Sequence, residues 1–442
     1  MNYQETVAYI ESLSPTLERP SLKRIDLFLK AHGSPQNARA AFHVGGTNGK
    51  GSTVAMLDSI LRQGGLKVGR FTGPHLLRWN ERFHLNGTPI SDGEFAERAT
   101  EMRRLSEQFG MANPELGPLT WFEFLTALAF FTFAAEKVDA AVYEVGLGGR
   151  FDATNVIDRP LAVGITNVAL DHMHILGDTI EKIAHEKAGI IKMNTPVVTA
   201  AEGDALMVIQ ERAAELNAPC VHCPRELVGP VNGDHGLGAE LQKIILRDAS
   251  KGLPGAYQRL NATVALEMLK SAGFVSDQAG NKKLSHDAIR QGLKDVYWPG
   301  RFQVLESLGV ILEAAHNKAG AQALRLSLDE IFPKQNIHFV FACYANKDGA
   351  GMLECLLRPQ DKLYASQANT SRSAFPKEAL TKYAQRTGIQ ASSYASIEEA
   401  FEEAIRARKG NEQVVVTGSF ATVKAAVMKL GWKSVEDGLV KN

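Results

Sequence analysis

Residues 41–53, Ala-Phe-His-Val-Gly-Gly-Thr-Asn-Gly-Lys-Gly-Ser-Thr, constrain the fold more than any other stretch of this chain. An apolar run, Ala40 to Val44, reads as a short buried strand. It breaks at Gly45 and Gly46, and a helical pattern follows with Val54, Leu57, Ile60 and Leu61 on one face. A strand, a glycine-rich turn and a helix opening on Lys50 and Ser52 make a cradle for a polyphosphate. Small residues let backbone N–H groups approach the oxygens. The helix N-terminus adds partial positive charge, and the lysine adds a full one. The spacing departs from the general phosphate-loop pattern, since Val44 stands where its first glycine belongs and Gly51 separates the lysine from Ser52. A plain glycine turn is the competing reading. A lysine flanked by two glycines, between strand and helix, favours nucleotide.

A chain of 442 residues predicts two domains. Lys plus Arg (49) balances Asp plus Glu (49), so no net field points to a nucleic-acid or anionic-membrane partner. The N-terminus lacks the basic-then-apolar order of a signal peptide, and the most apolar run, Phe124 to Ala135, is too short to span a bilayer. Four cysteines do not make a disulfide framework, and a lone Cys220-x-x-Cys223 is a poor zinc site. The expectation is a soluble, cytoplasmic protein and a monomer.

Along the chain, residues 2–13 and 21–32 read as amphipathic helices and Lys67 to Thr72 as a second strand. Residues 73–84 read as a long loop rich in His, Arg and Trp, a type that more often binds than connects. Leu119 onwards is an apolar helix with one acid, Glu123, in its first turns; a dipole-favoured core position and a ligand-facing role are equally consistent with the spacing. The strand Val138 to Val145 ends on Glu144, ahead of a glycine-rich turn. Ligands of parallel α/β sheets sit at strand carboxyl ends, so Glu144 is a natural Mg²⁺ ligand. Asp171 and His172 follow the next strand, Leu161 to Val168. Lys187 lies on a helix beside Ala188 and Gly189, where a solvated lysine is the plain reading. Residues 225–259 read as glycine-rich and irregular, with room for a hairpin, and Asn261 as the start of a helix. Pro299-Gly300 marks a boundary, after which strands and helices alternate. The predicted fold class is α/β. Residues 1–298 form a mostly parallel phosphate-loop sheet with flanking helices, and 299–442 a smaller, doubly wound α/β domain.

These residues together resemble the folylpolyglutamate synthase and dihydrofolate synthase family, a branch of the Mur ligases. The resemblance runs through Gly46 to Ser52, Pro74-His-Leu76, Leu119 to Glu123, Glu144 to Arg150, Asp152 to Asn155 and Leu170-Asp-His172. It continues through Glu186 to Ile190, Pro299-Gly-Arg301, Ala315-His-Asn317, Lys347-Asp348 and Gly418-Ser-Phe420. It implies an ATP-dependent amide ligase. ATP phosphorylates a pteroate or folate carboxylate, and the amine of L-glutamate displaces phosphate from the acyl phosphate.

By resemblance, Thr47, Asn48, Gly49, Lys50, Gly51 and Ser52 hold the phosphates. Asn261, Arg301 and Glu313 contact ATP across the domain junction. Glu144, His172 and the position of Gly73 bind Mg²⁺, with two ions expected. Lys187 matches a carbamylated lysine, and Lys50, Lys187 and His316 are the implied catalytic residues. Thr120, Trp121, Phe122 and Glu123 match pterin-binding segments, as do Phe151, Asp152 and Ala153. Arg372 is assigned to the glutamate side. The substrates implied are dihydropteroate or a reduced folate with L-glutamate.

Two departures stand out: Gly73 where the family commonly has a metal-binding serine, and Glu313 where it has an aspartate. The alternatives are a Mur-type relative acting on another carboxylate and a non-catalytic nucleotide-binding relative. Peptidoglycan ligases carry a whole domain before the phosphate loop, and here only two helices precede Lys50.

Overall fold

The structure, a computed structural model, describes residues 1–14, 21–225, 239–275, 284–368, 370 and 372–440. These residues fall into two compact units. The first comprises Met1–His75, Trp79–Ala249 and Leu260–Val296. The second comprises Leu76–Arg78, Ser250–Arg259 and Tyr297–Asn442.

In the first unit, α1 (Tyr3–Ser12) and α2 (Lys23–Ala31) precede β1 (Ala40–Gly45), α3 (Lys50–Gln63) and β2 (Val68–Phe71). A hairpin of β3 (Phe83–Leu85) and β4 (Thr88–Pro89) leads to α4 (Asp92–Ala112), α5 (Trp121–Ala135) and β5 (Ala140–Glu144). Next come β6 (Ala162–Ile165), α6 (Met173–Leu176), α7 (Ile180–Ala188), β7 (Val197–Thr199), α8 (Gly203–Glu215) and β8 (Cys220–His222). The helices α9 (Ala239–Ile244) and α12 (His286–Lys294) follow; α10 (Ser250–Gly252) belongs to the second unit, and α11 (Ala256–Ser271) begins in the second unit and continues into the first from Leu260.

The sheet order is β4-β3-β2-β5-β1-β6-β7-β8. All neighbours from β2 to β8 are parallel, and the β2-β3-β4 edge is antiparallel. A parallel sheet is covered on both faces, which is why β1 and β5 are apolar and buried along most of their length, with His43, Tyr143 and the terminal Glu144 as the polar positions. Helix α5 is apolar on nearly every side because Phe124, Phe130 and Phe133 lie in one core with Phe28 of α2, Phe95 of α4 and Tyr143 of β5. On α3 every residue from Gly51 to Leu61 is buried. A β-carbon at Gly292 of α12 would lie 2.5 Å from the Ile60 backbone, so only glycine lets these two helices approach so closely.

In the second unit, β9 (Gln303–Leu305), β10 (Val310–Leu312), α13 (Lys318–Ile331), β11 (Ile337–Phe341), α14 (Gly349–Leu356) and β12 (Lys362–Ala365) come first. They lead into α15 (Lys377–Arg386), β13 (Gln390–Ser393), α16 (Ile397–Ala407), β14 (Gln413–Thr417) and α17 (Phe420–Lys429). The order is β13-β12-β11-β14-β10-β9, parallel except for β9. The fold class is therefore the expected one, α/β with two sheets.

Several local expectations need correction. Residues 73–84 are not one loop: a 3-10 turn spans Trp79–Arg82, and Phe83 already belongs to an edge strand. The hairpin tip is Asn86-Gly87, both with positive φ (51° and 89°), a turn whose twist suits paired strands. Of residues 225–259, those from 226 to 238 lie outside the described residues. From 239 to 252 the chain is helical rather than irregular, and α11 opens at Ala256, which puts Asn261 inside the helix. The short strands β8, β9 and β13 were not expected. Each has three or four residues, too few to show a period.

Candidate active site

The strand order sets the site. β1 ends at Gly45 and runs into the glycine loop; β5, on one side of it, ends at Glu144, and β6, on the other, leads to His172. The expected phosphate cradle and both expected metal ligands thus leave adjacent strand ends. Gly73, two residues beyond β2, donates its N–H to Glu144 Oε2 at 3.1 Å, so a fourth strand end meets the same carboxylate.

Helix α3 starts at Lys50, and its N-cap Gly49 has φ +88°. The loop is held open by glycine. A β-carbon at Gly46 (φ +136°) would lie 2.0 Å from Thr166 Oγ1, and one at Gly49 would lie 2.3 Å from Asn261 Oδ1. The segment after β6 latches the loop. Thr47 N–H donates to the Asn167 carbonyl (2.8 Å), Asn48 N–H to Asn167 Oδ1 (2.9 Å), and Thr166 Oγ1–H to the Asn48 carbonyl (2.6 Å). Asn261 is thus placed in the first unit, beside the loop itself.

Lys50 Nζ donates to the carbonyls of Gly46 and Thr47, each at 3.1 Å. Lys187, buried near the end of α7, donates to the same Gly46 carbonyl at 2.8 Å. Burial, and then the charge of Lys50, pull the Lys187 amine down to about 7, against the opposing pull of Asp171 and Asp152. A solvated lysine would feel none of this.

Glu144 is only 5% exposed. A buried carboxylate next to a phosphate cradle is the donor type magnesium takes alongside phosphate and water, so the residues present fit that ion. His172 is a left-handed N-cap (φ 51°) with Asp171 Oδ1 3.9 Å from its Nε2. Near Gly73, Arg82 donates from Nε to His75 Nδ1 at 3.0 Å, and its guanidinium carbon lies 5.3 Å from the Trp79 ring and 5.7 Å from that of Trp121. Burial lowers Arg82 to about 10, opposed by Glu144 and Glu81.

Among the expected pterin-segment residues, Thr120 and Glu123 form a capping box for α5, with Glu123 Oε2 accepting from the Thr120 N–H (2.9 Å) and hydroxyl (2.8 Å). The same oxygen receives Arg24 Nη1 at 3.1 Å. Phe122 rests on the glycine turn after β5, where a β-carbon at Gly146 would strike its ring at 2.4 Å. Trp121 lies edge-on to Phe122, with ring centroids 5.3 Å apart. Phe151 is exposed with Arg150 over its ring at 4.9 Å, while Asp152 and Ala153 are buried.

In the second unit, Glu313 follows β10 and accepts from the Tyr257 hydroxyl (2.6 Å) and the Phe302 N–H (2.8 Å). Arg301 Nη1 lies 3.6 Å from its other oxygen and stacks over Phe420 at 4.6 Å. Burial raises Glu313 despite these partners. His316 Nδ1 lies 3.0 Å from the Ala314 carbonyl, and Arg372 is exposed over the Tyr344 ring at 5.5 Å.

Thr166 and Asn167 are unexpected members of the site, and Arg82 is expected only as part of the 73–84 stretch. Thr166-Asn167 carried one usable signal, a polar pair directly after an apolar strand.

Residues 300–420 match the Mur ligase, glutamate ligase domain. The Bacillus subtilis dihydrofolate synthase/folylpolyglutamate synthase is 36% identical over 429 residues, covering 94% of this chain and 96% of that protein. The chain belongs to the folylpolyglutamate synthase/dihydrofolate synthase family. It is accordingly an ATP-dependent ligase of the Mur ligase type. Two solved members of the family share its fold. Mycobacterium tuberculosis folylpolyglutamate synthase, complexed with ADP, superposes with a TM-score of 0.83 at 28% identity over 98% of both chains. The bifunctional Yersinia pestis folylpolyglutamate synthase/dihydrofolate synthase, complexed with AMPPNP and Mn, gives 0.81 at 29% identity over 98% of both. Among the described residues no helix is long and apolar enough to cross a membrane.

Proposed function

We propose that this family member is bifunctional: it adds L-glutamate to dihydropteroate and also to reduced folates, releasing ADP and phosphate. The observation that carries the reading is the placement of Lys50, Glu144 and His172 at three adjacent strand ends around one glycine loop. The Leu119 to Glu123 segment and the bifunctional name of the Bacillus subtilis relative favour two substrates over one.

The chemistry follows from charge. A carboxylate is a poor electrophile because its leaving group would be oxide, so it must attack the γ-phosphate of ATP first and become an acyl phosphate. Two anions then have to approach. Lys50, the α3 N-terminus and the N–H groups of Gly49, Gly51 and Ser52 offset that repulsion, while Thr47 and Asn48, whose N–H groups are taken by Asn167, shape the loop around the phosphates. Glu144 and His172, with Gly73 through its carbonyl, would hold magnesium, which supplies further charge neutralisation at the phosphates when bound.

The Lys187 amine, uncharged in a large fraction of molecules near neutral pH, is suited to add carbon dioxide. Its nitrogen lone pair forms the N–C bond, and one proton is released. The resulting carbamate is an anion able to support a second ion. In the second step the amine of glutamate attacks the acyl carbon and phosphate leaves. In His316 the Nδ1 contact with a carbonyl marks Nε2 as the basic nitrogen, suited to take the proton that amine loses. Arg301, Glu313 and Asn261 are assigned to ATP and Arg372 to the glutamate carboxylate. Phe122, Phe151 and Ala153 are assigned to the apolar body of the pterin substrate, with Thr120, Trp121, Glu123 and Asp152 behind them. A monomer working in the cytoplasm is part of the same reading.

Product analysis tests this. Purified protein with ATP, magnesium and glutamate should yield dihydrofolate from dihydropteroate and a lengthened glutamyl chain from tetrahydrofolate. Amide product from only one pterin would reduce the reading to one activity. Product from neither would overturn it.

A further inference from the structure

His43 lies inside the sheet on β1, two residues before the glycine loop, and is fully buried. No step described above uses it. Its Nε2 is 2.7 Å from Thr154 Oγ1, and that hydroxyl in turn reaches Asp152 Oδ1. Asp152 caps the 3-10 turn Ala153–Val156 through the Thr154 N–H (3.0 Å). With Oδ2 it accepts from the Leu147 N–H (2.9 Å) in the glycine turn that follows Glu144.

The direction of this chain follows from counting protons. Burial pushes the Asp152 carboxyl up, but the Leu147 N–H, the Thr154 N–H and the Thr154 hydroxyl all favour its ionised form, which only accepts, so the single Thr154 hydroxyl proton points to Asp152. The Thr154 oxygen must then receive from His43, which places the imidazole proton on Nε2. Nδ1 is left bare, and among the described residues it is the ring nitrogen with no hydrogen-bond partner. Burial, then the charge of Lys192, holds His43 down at about 3, so the ring is neutral at ordinary pH. A buried polar atom without a partner is costly, and an apolar residue would fill this core position without that cost. The imidazole therefore owes its place to the one bond its other nitrogen makes.

We propose that His43 is a positioning residue: through Thr154 it fixes the Asp152 carboxylate, and with it the turn from Gly146 to Ala153 that receives the pterin substrate. The relay joins the strand bearing the phosphate loop to the segment bearing Phe151 and Ala153. The two substrates are thus registered from one strand. This rests on the pterin reading proposed above.

Steady-state kinetics on Thr154→Val, Thr154→Ser, His43→Phe and His43→Gln test it, with the melting temperature of each variant recorded. Val keeps the shape of Thr without its hydroxyl, and Gln retains a donor near the position of Nε2. We expect Thr154→Val and His43→Phe each to raise the pterin KM about tenfold while the ATP KM changes less than twofold. Ser and Gln should recover most of the loss, and the Phe/Val double variant should be no worse than either single. A purely structural role would lower melting temperatures and leave the ratio of the two KM values unmoved. An unmoved ratio in folded Thr154→Val overturns the proposal, as does an additive double variant. If His43→Phe fails to fold, the Thr154 pair alone decides. A wild-type protein with no pterin-dependent ADP release would instead overturn the functional reading.

Discussion

Lys50 and Lys187, separated by most of the first sheet in sequence, donate to a single acceptor, the carbonyl oxygen of Gly46. Two ammonium groups on one carbonyl repel each other, and the more buried of them is the one whose proton is loosened. The phosphate loop therefore has beside it, in Lys187, an amine whose charge is adjustable.

Lys50→Ala should lower kcat/KM by a factor of at least about 10²–10³, the range for loss of one preorganised donor to developing charge. It should also raise the Lys187 pKa, since a repelling charge is gone. Steady-state rates and the pH dependence of Lys187 modification by an acylating reagent check the two halves. An unchanged rate would place phosphate transfer elsewhere.

Lys187 predicts a pH dependence with a definite sign. Unfolded, it titrates near 10.5; folded, near 7. Between those values the unfolded chain binds more protons, so stability rises with pH, and it falls as pH drops towards 7. In CO2-free buffer, urea midpoints should climb from pH 7 to pH 9 more in wild type than in Lys187→Met. Labelled ¹³C-bicarbonate should give a carbamate resonance that fades below pH 7. An unmodified amine in the active enzyme would refute carbamylation.

Gly73→Ser would place a β-carbon 2.7 Å from Arg82 Nη1. That atom is the far end of a flexible chain, so the guanidinium can yield. The added hydroxyl would then sit next to Glu144. The divalent-ion concentration for half-activation should fall several-fold, as should the Mn²⁺ dissociation constant read by electron paramagnetic resonance. No change in either would show that position 73 does not contribute to the metal site.

Glu123→Ala should cost stability more than catalysis. It removes a capping box and leaves Arg24, itself largely buried, without its carboxylate. A loss of about 1–3 kcal/mol in urea unfolding is expected, with the pterin KM little changed. A large KM effect without destabilisation would move Glu123 to direct substrate contact.

The sequence disclosed whatever was written locally. The glycine loop was legible because an apolar strand ends in it. Glu144 was legible because it closes an apolar run. The Asn86-Gly87 hairpin and the Thr120-x-x-Glu123 box also carry their usual signatures, though both stand among aromatic and polar residues of the kind that bind ligands. The helical stretch from 239 to 252 was hidden by the glycines around it. The bonds made by Thr166, Asn167 and His43 were not legible, even where the polar pair after β6 marked the place. Their partners lie more than a hundred residues away, and no period records a hydrogen bond of that span.

The latch between the glycine loop and the turn after β6 has a consequence for biosynthesis. The motif from Gly46 to Ser52 leaves the ribosome long before Thr166 and Asn167 are made. Until β6 docks beside β1, the loop lacks the bonds that fix its shape. A fragment ending near residue 160 would contain the whole nucleotide motif without the bonds that shape it, and we expect it to bind ATP far more weakly than the full chain. Capture of ATP thus reports that the central strands have assembled, and the ligand stabilises that assembled state by mass action.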